Sequence, residues 1–433
     1  MHNARSIKSW LVWLLLTIPF VGYLGNVVWY AVNMPVWDDY LSLLEPVNSV
    51  MTLPDWRDKW HALFMPQNGF HPFVVERLIM LLQVAMGGIN FAYYVWLANF
   101  GWALTAAILV FYFGRILGAP LFYLLPIPYL MLSSAHWEAM DFATSAFQYY
   151  WGGGAFAVLS IVLAVMGRGV GAGIACALAL LSFGGSQALL PLLLLVFLGT
   201  RRWKAAALFV LVVGMLVTPY LYLNGIPQGQ GSGISQLLSN PVGVMRYVLI
   251  FMGNYFSTGH YDLVPLNTVF LCVGSLVLAG TVALLWFGRS QWHEVLLPVA
   301  VVAYVLLLAA MAALVRFDIS IVPRYSMYAL LAGAALYGGY VVVWAPGKSA
   351  VYTKAVVTTV LLASMGYWIY TLYVTQILFR ENRQQRLEGM TRYIQENDIS
   401  ALSSFCWNAA FADGILRQSR ELGVYDYTQF DRR

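Results

Sequence analysis

The chain has 433 residues, of which 61% are hydrophobic and only 10% charged, with a formal net charge of +5. A soluble domain carries about 25% charged residues, so an ordinary soluble enzyme is excluded. The small basic excess is no footprint for nucleic acid. A mean hydropathy of +0.70 and recurring apolar runs of about 20 residues predict a polytopic all-α membrane protein.

The first apolar run, 10–31, follows Arg5 and Lys8. Basic residues prefer the cytoplasm, so the N-terminus is expected inside and the next segment outside. The run is long and shows no small-residue site before Asn33, so it reads as a span rather than a cleaved signal. Residues 33–90 form a long, mixed first outer loop. Its apolar part, 73–86, is short for a span and opens on Glu76-Arg77, so it is expected to lie in the interface.

Crossings then follow at 91–113 and 121–132, with a third returning to Arg168. A short pair, broken at Phe183-Gly-Gly-Ser186, ends at Arg201, Arg202 and Lys204. One span exits near Tyr222 into the Gly-rich loop 224–240, and the last four are 264–287, 295–315, 325–344 and 355–379. This gives about 11 transmembrane helices, with roughly 10–13 as bounds. Had 73–86 crossed, the clusters at Arg115, Arg201-Arg202 and Lys348 would all face outward. Residues 1–379 thus read as one membrane domain. Residues 380–433 read as a polar outer tail, too short for a substantial core of its own. Cys176 and Cys272 lie in apolar runs and Cys406 in a polar one, which is no disulfide framework.

This topology gathers polar residues on the outer side. The first loop supplies Asp38, Asp39, His61, Asn68, His71, Glu76 and Arg77, and the second His136, Glu138, Asp141 and Gln148. Later segments add Gln187, Asn224, Gln228, Asn254, His260, Asp262, Arg316, Asp318, Arg324 and Tyr325. Arg316 and Arg324 run against the positive-inside preference, so something other than topology keeps them there. An adjacent carboxylate pair at the water end of a span is a functional-site hypothesis by default. One carboxylate could deprotonate a hydroxyl. Outward arginines could hold a phosphate leaving group, which guanidinium matches bidentately. A polyprenyl-phosphate sugar is a donor that carries such a group at a bilayer surface.

Three elements occur in order: Trp37-Asp38-Asp39-Tyr40, Asn68-Gly-Phe-His71-Pro72-Phe followed by Glu76-Arg77, and His136-Trp-Glu138-Ala-Met-Asp141. A late Val322-Pro-Arg324-Tyr325 joins them. Their order and shared side resemble the GT-C superfamily of integral-membrane glycosyltransferases, best over the first ~150 residues by loop and span order. The resemblance implies a GT-C-like fold and transfer of a sugar, with inversion, from polyprenyl phosphate to a hydroxyl acceptor. It implies Asp38 or Asp39 as general base, with the other orienting the acceptor or holding a metal. Arg324, Arg316 and Tyr325 would bind the donor phosphate. His71, Glu76, Arg77, His136, Glu138 and Asp141 would serve the acceptor side. No cofactor is required by it. A divalent metal (Mg, Mn or Ca) at Asp38, Asp39 or Asp141 remains open.

The acceptor could be a lipid-linked glycan, lipopolysaccharide or O-antigen, another small cell-envelope acceptor, or a protein. The short tail departs from relatives with a large soluble outer domain and favours the small acceptors. The implied location is a bacterial inner membrane with the site facing the periplasm. The rivals are a lipid-linked-sugar flippase and an O-antigen polymerase or ligase. Blander readings also stand: the aspartates as a span terminus, Glu76-Arg77 as a local ion pair, and Arg316 and Arg324 paired with Asp318 or lipid headgroups. Gly152-Gly-Gly154 reads as membrane-helix glycine, not a phosphate loop.

Overall fold

Long apolar runs fold as helices because, in lipid, a helix satisfies every backbone N–H and C=O within its own segment. The structure, a computed structural model, describes residues 2–67, 71–224, 233–255, 264–316, 321–344 and 349–430. Asn68, Gln228, His260, Asp262, Asp318 and Lys348 therefore lie outside the described residues, as does almost all of the loop 225–233. Among the described residues the regular elements are all helical, and the one strand-like pairing is the isolated bridge between Gln67 and His71.

Among the described residues, eight helices are long and apolar enough to cross a membrane: Ser9–Tyr30, Phe91–Ile116, Ala143–Val165, Trp203–Asn224, Asn267–Phe287, Arg289–Arg316, Pro323–Trp344 and Val351–Glu396. The architecture is that of an all-α membrane protein. Four shorter apolar helices are packed among these: Leu121–Met131, Gly169–Ser182, Gly184–Gly199 and Pro241–Gly253. The pair 169–199 breaks at Phe183, whose backbone is extended.

The helix Pro241–Gly253 was not anticipated. Asn240 caps it, its side chain accepting from Gly243 N–H at 2.9 Å, and Pro241 opens its first turn. Its last glycine meets the helix Val264–Phe287 backbone to backbone. A Cβ on Gly253 would stand 1.9 Å from the Phe270 carbonyl oxygen, and one on Gly274 1.9 Å from that of Leu249. The triple glycine Gly152–Gly154 has the same use. A Cβ on Gly153 would fall 2.2 Å from the Tyr328 hydroxyl, so these glycines are packing surfaces between helices.

The first loop folds as three short helices, Glu45–Thr52, Trp56–Phe64 and Val74–Ala85. The third has 12 residues and is about 18 Å long, against a hydrocarbon core of about 30 Å. Arg77 organises the loop. Its guanidinium donates to the carbonyls of Ser42 (2.9 Å), Leu63 (2.9 Å) and Met65 (2.6 Å). Two of these are orphan acceptors at the end of the second helix, which a cation there satisfies. Burial lowers the Arg77 pKa to about 10.

The last helix, Ala350–Glu396, has 47 residues. At 1.5 Å per residue it is about 70 Å long, far more than a bilayer core needs. It ends at Asn397, which is left-handed, and the chain then turns back over the first loop. Asn48 Nδ2 donates to Ser419 Oγ at 2.9 Å, and Ile89 N–H to Val424 O at 2.8 Å. Tyr425 Oη donates to Asn33 O at 2.7 Å, and Trp37 N–H to Phe405 O at 2.8 Å. Leu402, Leu416 and Tyr425 are buried in this contact. Neither the loop nor the tail is large enough to close a core alone; together they share one. Deleting residues 397–430 should leave the long helices folded and open the 33–90 loop to limited proteolysis. Equal protease resistance of the truncated and full chains would contradict this docking.

Candidate active site

The two aspartates have opposite surroundings. Asp39 is fully buried. Its Oδ1 accepts from Thr144 N–H at 2.8 Å and from Thr144 Oγ1 at 2.5 Å, and its Oδ2 accepts from Val36 N–H at 3.0 Å. Thr144 lies in the first turn of the span Ala143–Val165, so Asp39 satisfies a helix N-terminus from another segment. Burial raises its pKa to about 7, against the pull of the Thr144 and Val36 hydrogen bonds. Asp38 is partly exposed. Burial raises its pKa, while the charge of Arg324 and hydrogen bonding from the Trp407 side chain draw it down. With Asp39 held by its neighbours, Asp38 is the carboxylate open to a substrate.

The arginines arrive from the late helices. Arg324 follows Pro323 in a short 3₁₀ turn, and its Nη1 meets Glu138 Oε1 at 3.0 Å, both side chains about one-fifth exposed. Its Nε is buried without a partner among the described residues. Arg316 Nη1 donates to the Tyr325 hydroxyl at 3.1 Å. Tyr325 is packed edge-on to Tyr149 and tilted against Phe251. His71 accompanies them, with Gln148 Nε2 3.2 Å from its Nδ1. Burial, Arg316 and Arg324 lower the His71 pKa to about 4, so the ring is neutral at physiological pH.

His71, Arg316 and Tyr325 bound a cavity of about 250 Å³ walled by Tyr149, Phe183 and Tyr328. Gln187 also reaches it. Its aromatic walls and few converging polar groups fit the usual make-up of a small-molecule site, although it is smaller than the usual lower bound of about 300 Å³. A larger, open hollow of about 710 Å³ lies among Arg168, Arg201, Arg202 and Lys204. It has no carboxylate in its lining and lies among the clusters read as cytoplasmic, so it offers no base.

The structure thus brings together Asp38, His71, Glu138, Arg316, Arg324 and Tyr325. The other expected residues are placed elsewhere. His136 is enclosed by Tyr23, Trp102 and Tyr150, with Nδ1 2.6 Å from the Tyr150 hydroxyl, and burial lowers its pKa to about 4. Arg77 is spent on loop carbonyls rather than on Glu76. Glu76 is fully buried, and neither carboxyl oxygen has a partner among the described residues. Burial raises its pKa. Asp141 pairs with Arg386 of the last helix at 2.9 Å, both side chains nearly buried. Among the described residues no three His, Cys, Asp or Glu side chains form a group able to hold a metal ion. Asp39 gives both carboxyl oxygens to Thr144 and Val36, and Asp141 Oδ2 meets Arg386.

Sequence reasoning missed Thr144, Tyr149, Arg386 and Trp407. Each acts through a contact more than 70 residues away in the chain or through a ring in an otherwise apolar helix. No protein-family model matches this chain, and no characterised protein or solved structure matches it.

The raised Glu76 pKa has a stability consequence. Above the ordinary carboxyl value of about 4.3 the unfolded chain releases a proton that the folded chain keeps, so stability falls as pH rises. Glu76→Gln should therefore flatten the decline in melting temperature with rising pH. The slope left in the variant between about pH 4 and 7 combines Asp39 and Asp38, whose shifts have the same sign, with His71 and His136, whose lowered pKa values act oppositely. An unchanged pH profile in Glu76→Gln would show that the buried carboxyl is not the source.

Proposed function

We propose that this chain is a GT-C-type membrane glycosyltransferase that moves a sugar from a polyprenyl-phosphate donor to a hydroxyl acceptor. The observation that carries the reading is a partly exposed carboxylate, Asp38, within electrostatic reach of Arg324, whose chain neighbour Tyr325 lines an aromatic cavity together with Arg316. Base and phosphate-binding cation are the two parts such a transfer needs. Asp38 takes the proton of the acceptor hydroxyl. The new bond forms from that oxygen to the anomeric carbon as the bond to the phosphate oxygen breaks, with inversion. Arg324 and Arg316 receive the negative charge that develops on the leaving phosphate, and Tyr325 holds Arg316 in place. The aromatic and aliphatic walls suit the first isoprene units of the donor. Neutral His71 donates or accepts at the sugar without adding charge.

The short apolar helices at 121–131, 169–182 and 184–199 cross as expected in this reading, giving about 11 crossings with the site on the outer side of a bacterial inner membrane. A flippase would need ionisable groups along a path at mid-depth. Here nearly all the described carboxylates lie in the first two loops or beyond the apolar part of the last helix, Glu294 being the exception. A polymerase or ligase built on a large late outer loop is disfavoured by the position of the folded loop at 33–90.

Asp38→Asn should lower glycan transfer at least roughly a hundredfold at matched protein levels, the usual scale of a lost general base. Asp39→Asn should instead lower the yield of folded protein, because its amide places a donor against a donor. Full transfer by Asp38→Asn would refute the assignment. The transfer rate should rise with pH along a limb above the ordinary carboxylate range, since the Asp38 pKa is raised.

A further inference from the structure

We propose that Trp37 and Trp407 form an acceptor subsite for a neutral sugar ring, next to Asp38. The inference rests on Asp38 as the base proposed above and adds what chemistry the acceptor presents to it. Trp407 is 79% exposed, although its neighbours Phe405 and Cys406 are buried. The ring is therefore displayed by an anchored segment, between the turn Ile399–Ser404 and the helix Ala409–Glu421. Trp37 faces it with ring centroids 4.6 Å apart at 48°. Trp37 is also one of three non-glycine residues with positive φ among the described residues, at +51°. A bulky residue there is strained, and such strain persists where surrounding structure fixes it. The bond from Trp37 N–H to Phe405 O supplies that hold. Thus the tail places one indole, holds the backbone of the other, and brings the Trp407 side chain to hydrogen-bond Asp38.

An indole face is electron-rich and attracts weakly positive hydrogens. A pyranose offers a face of such C–H groups and an edge of hydroxyls. One ring can rest on the indoles while a hydroxyl on its edge points at the Asp38 carboxylate. An alkyl chain would cover the indoles but desolvate that carboxylate without offering it a new hydrogen bond, which is costly. A phosphate would be repelled by it. Of the other strongly exposed tryptophans, Trp10, Trp13, Trp29, Trp203 and Trp286 lie on spans and suit an interfacial belt, and Trp56, in the loop helix, carries the Arg57 guanidinium over its ring. Trp407 lies off any span.

The test uses the full chain in detergent, with 5-fluorotryptophan in place of tryptophan. The fluorine signals of positions 37 and 407 are assigned from Trp37→Phe and Trp407→Phe. Glucose, galactose, mannose, N-acetylglucosamine, maltose and cellobiose are titrated, with decyl phosphate as the lipid-like control. At least one sugar should move both signals saturably. Trp407→Ala should weaken that binding by about fivefold, as expected for one lost aromatic face, and Trp407→Phe should largely retain it. The subsite is overturned if no sugar moves either signal, if decyl phosphate alone does, or if Trp407→Ala binds sugar as tightly as the parent. Binding here needs no turnover. Sugar binding with full transfer in Asp38→Asn would sink Asp38 as the base and leave the subsite, and loss of transfer in Asp38→Asn with no sugar binding to the parent chain would sink the subsite alone.

Discussion

The site depends on how one carboxylate is buried. Asp39 gives its oxygens to Thr144 and Val36, and this fixes the first loop against the start of the span Ala143–Val165. Its neighbour must then point the other way, because consecutive residues of an irregular segment cannot both enter the same hole. Burying Asp39 therefore exposes Asp38. The same clasp sets the distance between the loop and the residues that follow Thr144, among them Gln148 and Tyr149, which reach His71 and the cavity. The span turns there through a π-helical stretch, Gln148–Phe156. Such widened turns are frequent at functional sites because they re-aim side chains.

The charges at this end of the bundle are arranged in separate pairs. Glu138 takes Arg324 and Asp141 takes Arg386. Glu138 lies in a single short turn, Trp137–Met140, and Asp141 ends it, so one turn of chain holds both Arg324 and the last helix. Removing either acid would leave a largely buried arginine without its counter-charge, which is the costly way to break such a pair. Arg324 keeps its Nε unengaged at the protein's expense. An unsatisfied buried donor is tolerated where a ligand satisfies it.

Much of this was legible in the residues. The helical class followed from composition, and the apolar part 73–86 folds as a helix of 12 residues, Val74–Ala85, as short as its sequence suggests. The Asp38-Asp39 pair, the His-Pro element and the late Arg324-Tyr325 stood out by charge at the ends of apolar runs. What the residues did not reveal was who pairs with whom. The difference between Asp38 and Asp39 lies in Thr144, more than 100 positions away. Asp141 reads as a free acid until Arg386 is seen beside it. The helix Pro241–Gly253 is too short to read as a span and follows a Gly-rich stretch. The tail is polar on average, so its buried Leu402, Leu416 and Tyr425 were masked by the charges between them.

The length of the last helix has a consequence for how the protein is made. Residues 397–430 leave the ribosome after every described span, yet they supply the roof over the first loop and the indole beside Asp38. Until they arrive the first loop has an apolar face uncovered. A chain synthesised only as far as the last described span therefore lacks this shared core. The same order makes the loop's exposed face the natural place for a chaperone to hold while the remaining spans insert.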